Sequence, residues 1–175
     1  MHRSKSELFK RIAPIIAAFL LCPAPASSSD RIVGRASVID GDTIEVAGKR
    51  VRLRGVDAPE SWQNCSDGDG GTYRCGKMAA NALDRFLAAS RPIRCDVIER
   101  DRYQRFVGVC FRADGREVNH WLVESGHALD WARYSHGTYA DAEKAARSSG
   151  IGIWRGDFQR PCEVRAERFG HGPSC

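Results

Sequence analysis

The sequence predicts an α+β fold, a small closed five-stranded barrel with about three helices at its side. Three strand-like segments come first, one helix follows, and then come two more strands and further helices. Runs of strands followed by runs of helices are typical of the α+β class. The 175 residues are enough for one such domain with additional segments.

The first residues are predicted to form a secretory signal peptide. A basic start precedes a ten-residue apolar run, 12–21, which is too short to span a bilayer. Ala24-Pro25-Ala26 then has the small-x-small pattern of a cleavage site, so we expect cleavage near Ala26–Ser27. A short membrane anchor is the alternative. We predict a signal peptide over 1–26, a barrel domain over 27–154 and a surface extension over 155–175.

Export would leave a secreted or periplasmic protein, which we expect to be monomeric and without stable membrane association. The chain carries a net charge of +5, of which residues 1–26 hold +3, so the mature protein keeps about +2. Such a small excess argues only weakly for a nucleic-acid partner. A basic surface would have to come from the placement of charges.

Three strands are predicted first, over 31–39, 43–46 and 49–56, the last two joined by a turn at Ala47-Gly48. In the third strand Arg50, Arg52 and Arg54 alternate with apolar residues. A period of two places the arginines on one face of the sheet and the apolar side chains on the other.

The next elements are a helix and a hairpin. Residues 76–90 place apolar side chains from Met78 to Leu87 on one helical stripe, and Arg91-Pro92 ends that helix. Strands over 92–98 and 106–111 flank a polar connection, and shorter helices are expected over 119–125 and 138–150. A five-stranded barrel with this strand count is of the oligonucleotide/oligosaccharide-binding (OB) type.

Six cysteines follow the predicted signal peptide, and an even number in an exported protein suggests disulfides. Cys65 and Cys75 bracket a glycine-rich loop, and Cys95 and Cys110 could face each other across the hairpin, with two buried free thiols as the alternative. Cys162 and Cys175 could tie the carboxyl-terminal extension. Zinc is the alternative for the set, but no C-x-x-C occurs and the histidines lack ligand spacing.

Two aspartates are candidates for binding a divalent cation. Asp42, in Asp40-Gly41-Asp42-Thr43, and Asp57 are fifteen positions apart at the ends of neighbouring predicted strands. Two carboxylates that meet repel each other unless a cation lies between them, and hard oxygen ligands suit Ca²⁺. An ordinary turn is the alternative for the first motif, because Asp and Gly favour turns.

Three further side chains suit phosphodiester chemistry. Arg52 offers a planar fork that pairs with phosphate oxygens, although a solvated strand arginine is the alternative. Glu60 could position water or act as a general base. Arg105, at the base of the hairpin connection, could supply a second cation to the phosphate.

These motifs resemble the staphylococcal nuclease (thermonuclease) family of calcium-dependent secreted nucleases, over about Arg31 to Trp154. The resemblance rests on four ordered blocks, at positions 38–43, 52–60, 101–105 and 150–154. It implies the OB-type barrel, a Ca²⁺ cofactor, and hydrolysis of DNA and RNA by metal-assisted attack of water.

The resemblance also implies a role for each matching position. Asp42 and Asp57 would bind calcium through their carboxylates and Ala58 through its main-chain carbonyl, with Asp40 as an acid close to the metal. Arg52, Glu60 and Arg105 match the catalytic positions. The predicted substrate-binding residues are Arg102, Tyr103 and Tyr134. The loop after Glu60 is longer than in the staphylococcal enzyme, and Gln104 stands where glycine is usual.

We therefore predict a secreted calcium-dependent endonuclease, with other functions as alternatives. One is a non-catalytic barrel that binds nucleic acid or sugar. Another is an accessory protein of a cell-envelope or exopolysaccharide pathway, since secreted relatives have been grouped with such genes. A nuclease with a histidine-bound metal is a third, but His120, His127 and His136 form no recognisable set.

Overall fold

The computed structural model describes residues 30–173 and Cys175, so the predicted signal peptide lies outside the described residues. The strands are β1 Arg31–Gly34, β2 Ala36–Asp40, β3 Thr43–Val46, β4 Lys49–Leu53, β5 Val56–Asp57, β6 Cys65–Ser66, β7 Thr72–Tyr73, β8 Ile93–Arg100, β9 Phe106–Phe111 and β10 Leu129–Asp130. The helices are α1 Cys75–Ala88, α2 Val118–Glu124, α3 Ala132–Ser135, α4 Ala140–Ser148 and α5 Pro161–Phe169, with a 3₁₀ turn at Gly152–Arg155.

A six-stranded mixed sheet forms the body of the fold, in the order β1-β8-β9-β4-β3-β2. The predicted strand over 31–39 is divided at Arg35, so this main sheet has six strands where five were expected. The remaining strands form two short pairs, β5 with β10 and β6 with β7. Its first half pairs with β8 and its second half with β3, at opposite ends of the sheet order. Because consecutive residues reach both ends, the sheet is curled into a half-barrel. The predicted α+β, OB-like class is therefore confirmed.

The parallel pair β4 and β9 aligns two of the predicted catalytic segments. Val51 lies opposite Phe106 and Arg52 opposite Val107. Arg105 directly precedes this pairing, so the register brings it to the same end of the sheet as Arg52. On the other side of β4, Arg52 pairs with Thr43, the neighbour of Asp42.

The core lies between the concave face of the sheet and helix α1. The predicted apolar stripe of α1 is buried at Leu83, Phe86 and Leu87, in the same cluster as Ile44 and Leu53 of the sheet. Met78, which the stripe also included, is 38% exposed. Alternation along β4 is as predicted, since Val51 and Leu53 are buried in the core and Arg50 and Arg52 lie on the opposite face.

Five α-helices are present in the described part of the chain, where about three were expected. Helix α3 has four residues, too few to show a periodic apolar pattern. Helix α5 lies within residues 155–175, the predicted surface extension, for which no helix was predicted. Pro161 opens it, Glu163 accepts a hydrogen bond from the Arg160 N–H, and Gly170 closes it at a φ of 67°.

Three disulfides connect the cysteines in the combinations that their positions suggested. They are Cys65–Cys75, Cys95–Cys110 and Cys162–Cys175. Cys95 and Cys110 lie directly opposite each other in the β8–β9 ladder. The alternative of two free thiols in the hairpin is therefore wrong.

Two glycines allow close contacts that position the predicted site. A Cβ at Gly41 would lie 2.8 Å from the Ala58 side chain, and a Cβ at Gly76 would overlap the main-chain oxygen of Glu60. The first contact holds the Asp42 and Asp57 segments together, and the second places the start of α1 against Glu60. None of the helices in the described range 30–173 has the length and apolarity needed to cross a membrane.

Candidate active site

Asp42 and Asp57 converge, as the sequence predicted. Both are buried, at 5% and 2% exposure. The Arg52 guanidinium forms an ion pair with Asp42 through Nη1, and its Nη2 lies 4.0 Å from Asp57 Oδ1. One cationic group therefore reaches both acids.

Main-chain and hydroxyl donors hold the Asp42 carboxylate in place. The Ala58 N–H donates to Asp42 Oδ2 at 3.3 Å, and the Thr43 hydroxyl donates to Oδ1 at 3.2 Å. Ala58 is the third predicted calcium ligand and directly follows Asp57, so this bond ties the two segments of the predicted metal site to each other.

Arg52 is embedded among charges of both signs. Burial lowers the pKa of Arg52, and the nearby Arg105 and Arg165 cations lower it too, whereas Asp57 and Glu60 raise it; the result is a pKa of about 10. At that pKa the guanidinium remains protonated at neutral pH. Because Glu60 and Arg105 are close enough to affect the pKa of Arg52, the three side chains lie on the same side of the molecule.

Burial disfavours the charged carboxylate forms of Glu60 and Asp40. Burial raises the pKa of Glu60, Arg165 opposes that shift, and the Asp40 carboxylate adds to it. Burial also raises the pKa of Asp40, which accepts a hydrogen bond from the Gly41 N–H at 2.8 Å. A carboxylate with a raised pKa is a better proton acceptor near neutral pH, as a general base requires.

The loop between β8 and β9 holds Arg105 through Asp101. Asp101 accepts hydrogen bonds from the Tyr103 and Arg105 main-chain N–H groups, at 2.9 and 3.0 Å, and from Arg105 Nε at 2.7 Å. Between them Gln104 has a φ of 63°, in the left-handed region that favours glycine. The left-handed conformation explains why glycine is usual at the position that Gln104 occupies here.

An open cleft of about 660 Å³ lies beside Arg105. Its lining contains cations and aromatic rings but no acid, and consists of Gly48, Lys49, Arg50, Tyr103, Gln104, Arg105 and Phe106. Such a surface suits a polyanionic strand, since cations attract the phosphates and rings stack on the bases. Tyr103 is 64% exposed there, and the predicted substrate residue Arg102 stacks on its ring at 4.8 Å.

The other predicted aromatic residue, Tyr134, contacts the site through Trp131. Tyr134 packs edge-on against Trp131, with 4.6 Å between ring centroids. The Trp131 ring in turn lies 5.6 Å from the Arg52 guanidinium and 5.1 Å from that of Arg165. Trp131 is therefore an aromatic neighbour of Arg52, a predicted catalytic residue, and of Arg165.

Sequence reasoning missed Arg165 on helix α5. Its Nη1 lies 2.7 Å from Asp57 Oδ1 and 2.8 Å from Glu60 Oε1. Proline at the start of α5 and glycine at its end could have predicted the helix, but no local pattern indicates that its arginine reaches a residue more than a hundred positions earlier. Within the described residues no group of three or more His, Cys, Asp or Glu side chains forms a metal site.

We predict that Asp101 contributes to stability in a pH-dependent way. Burial alone would raise the pKa of Asp101, but the hydrogen bonds and charge of Arg105 outweigh it and lower the pKa below 3.8. The contribution is therefore present above pH 3.8 and is lost as the pH falls through the lower folded-state value. Asp101→Asn should be destabilised by about 1–3 kcal/mol at pH 7, because its amide nitrogen cannot accept the Arg105 Nε–H.

Urea unfolding at pH 7 and pH 3 measures this difference. The gap between wild type and Asp101→Asn should shrink at pH 3. A gap of the same size at both pH values would contradict the assignment.

Comparisons with known proteins add an independent result. Residues 50–156 match the family described as "Staphylococcal nuclease homologue". This match contains Arg52, Asp57, Glu60 and Arg105, and it ends before α5 begins. It covers more than half of the chain.

Similar curated proteins have names of two kinds. The "Succinoglycan biosynthesis protein ExoI" of Rhizobium meliloti (strain 1021) is 54% identical over 173 residues, which cover 99% of this chain and 90% of that protein. An "Uncharacterized endonuclease" of Escherichia coli O157:H7 is 32% identical over 122 residues, covering 67% and 72%. The "Micrococcal nuclease" of Shigella flexneri is 28% identical over 169 residues, covering 87% and 88%.

Proposed function

Because this chain belongs to the staphylococcal nuclease family, we propose that it is a calcium-dependent endonuclease that hydrolyses the phosphodiester bonds of DNA and RNA. The observation that carries the proposal is that one guanidinium, that of Arg52, reaches both buried acids, Asp42 and Asp57. Glu60 and Arg105 are close enough to shift the pKa of that guanidinium. Acids, base and anion-binding groups thus share one site.

The donor set suits a hard divalent cation. Asp57 Oδ1 is buried and accepts no aligned hydrogen bond, although Arg165 lies within ion-pair distance of it. Burial of a charged oxygen is costly without a cation beside it, so this position favours a positive charge, whether the Arg165 guanidinium or a metal ion. Asp42, Asp57 and the Ala58 carbonyl would hold Ca²⁺, which would act as a Lewis acid on the phosphate.

The side chains of the chain itself have separate roles in this proposal. Arg52 and Arg105 bind phosphate oxygens and stabilise the negative charge that develops as water attacks. Glu60 accepts the proton of that water, which its raised pKa favours. Tyr103 and the basic cleft beside it bind the neighbouring part of the strand, and Trp131 contributes an aromatic surface.

Glu60→Gln tests the proposal, because it removes the base with almost no change in volume. We expect the rate of single-stranded DNA hydrolysis with calcium to fall about 10²–10⁴-fold, the usual contribution of general-base catalysis. RNA hydrolysis should fall in parallel. Chelation of calcium should abolish cleavage by the wild type.

Glu124→Gln, an exposed glutamate on α2, is the matched control and should retain wild-type activity. Cleavage that survives chelation, or a Glu60→Gln protein as active as this control, would contradict the proposal.

A role in exopolysaccharide synthesis is the second candidate. The relative named for succinoglycan biosynthesis supports it, since the similarity extends over nearly the whole chain. It concerns the biological process and is compatible with the same chemistry. Deleting the gene and restoring either wild type or Glu60→Gln tests whether exopolysaccharide synthesis requires the nuclease chemistry. Recovery of exopolysaccharide with wild type alone would connect the process to the nuclease, and recovery with both would make the chemistry dispensable for it.

We also propose that the protein acts after export, in the periplasm or the medium. The three disulfides among residues 65–175 support this, because such bonds persist in oxidising compartments.

A further inference from the structure

Helix α5 supplies a partner for each oxygen of Asp57. The Cys162 N–H donates to Asp57 Oδ2 at 3.2 Å, and Arg165 Nη1 lies 2.7 Å from Oδ1. The two partners are one helical turn apart, so both face the same carboxylate. An acid predicted to bind a cation is therefore already compensated from the carboxyl-terminal extension.

Arg165 also engages Glu60, the proposed base. The same Nη1 atom donates a hydrogen bond to Glu60 Oε1 at 2.8 Å, so a single nitrogen bridges the two acids. The Arg165 side chain is 20% exposed, whereas that of Asp57 is 3% exposed. The bridging side chain is therefore more exposed than the acid that it contacts.

We propose that Arg165 is a built-in competitor of the divalent cation: its guanidinium neutralises Asp57 and Glu60 until the cation binds, and cation binding requires it to withdraw. The inference rests on the proposed calcium-dependent function. Its physical basis is that two cations on the same carboxylate oxygen repel each other strongly in a poorly hydrated site. The competition raises the calcium concentration at which the site fills.

Helix α5 has other attachments that would keep it in place when the side chain leaves. Cys162 is joined to Cys175, and Arg168 stacks on Trp62 at 4.5 Å. Just before the helix, the Gln159 carbonyl accepts a hydrogen bond from Gln63 Nε2 at 2.7 Å. Withdrawal therefore requires a change of side-chain rotamer and no detachment of the helix.

Calcium titration by calorimetry, without nucleic acid, tests the proposal. Arg165→Ala should bind Ca²⁺ more tightly than the wild type, by about 5–150-fold, the usual range for coupled binding. Arg165→Lys keeps the charge and should stay closer to the wild type. Arg168→Ala removes an arginine from the same helix and should leave the affinity unchanged. Circular dichroism establishes that each variant is folded.

The competition must be reciprocal, so calcium should displace the guanidinium. The side-chain Nε–Hε resonance of Arg165, identified by its absence in Arg165→Lys, should shift as the wild type is titrated with Ca²⁺. Asp57→Asn, which weakens the predicted calcium site, should suppress the shift at the same calcium concentrations.

The outcomes separate this proposal from the proposed function. Equal calcium affinities for wild type and Arg165→Ala would overturn the competition and leave the nuclease proposal standing. Tighter binding by wild type would also overturn it, because Arg165 would then support the site. Binding by neither protein at millimolar calcium would overturn both proposals.

Discussion

Replacing Arg105 with alanine should lower kcat/KM for single-stranded DNA by about 10³–10⁵-fold, the contribution expected of an arginine that stabilises phosphoryl-transfer charge. The side chain is 30% exposed and is anchored by Asp101, so its loss removes a cation from the site without opening a cavity in the core. Stability should fall by about 1–3 kcal/mol, because Asp101 loses the same Arg105 Nε–H hydrogen bond that Asp101→Asn disrupts. Arg105→Lys keeps the charge but loses the planar fork, and should recover only part of the activity.

The control for this variant is Arg100→Ala. Arg100 is exposed at the same hairpin and stacks on Phe106 at 3.9 Å. It should retain activity within a few-fold of wild type, since it belongs to none of the proposed roles. If Arg105→Ala and Arg100→Ala lose similar amounts of activity, Arg105 contributes only general positive charge.

Replacing Arg52 with alanine should destabilise the calcium-free protein by about 3–5 kcal/mol, the cost of leaving buried charges without their partner. Asp42 would lose its ion pair, and Asp57 would keep only its partners on α5. Added calcium should restore part of this stability, because a bound cation can replace the missing positive charge. Urea unfolding with and without calcium measures both effects.

Arg50→Ala is the matched control, since Arg50 lies two positions earlier on the same strand face and is exposed. Its effect should stay within about 0.5 kcal/mol, as is usual for surface substitutions. Equal destabilisation of the two variants would contradict the role of Arg52 as the cation between the two acids.

Local patterns predicted the strands of an OB-type barrel, because each strand carries its own signal. Alternation in residues 49–54 identified the buried and exposed faces of β4, and the hairpin signal aligned Cys95 with Cys110. The division of the first strand at Arg35 was not predictable in this way. It depends on pairing with β8, which lies about sixty residues later in the chain.

The convergence of Asp42, Asp57 and Arg52 followed from the sequence by a similar argument. Asp42 directly precedes Thr43, which pairs with Arg52, so the meeting of Asp42 with Arg52 requires only local register. Asp57 follows Arg52 closely in the chain, but it lies on β5, which pairs with β10 outside the main sheet. The position of Arg105 beside these residues also depends on the parallel pairing of β4 with β9. The sequence indicated that pairing only through the resemblance of its four motif blocks to a family.

The sequence by itself determined the candidate acids, the two candidate arginines and the candidate base, because short motifs near strand ends carry all of them. Only the tertiary structure decided that Arg165 would lie between Asp57 and Glu60. The physical reason is distance along the chain: no periodicity or motif connects α5 to β5, and the contact arises from how the carboxyl-terminal extension packs over the finished barrel.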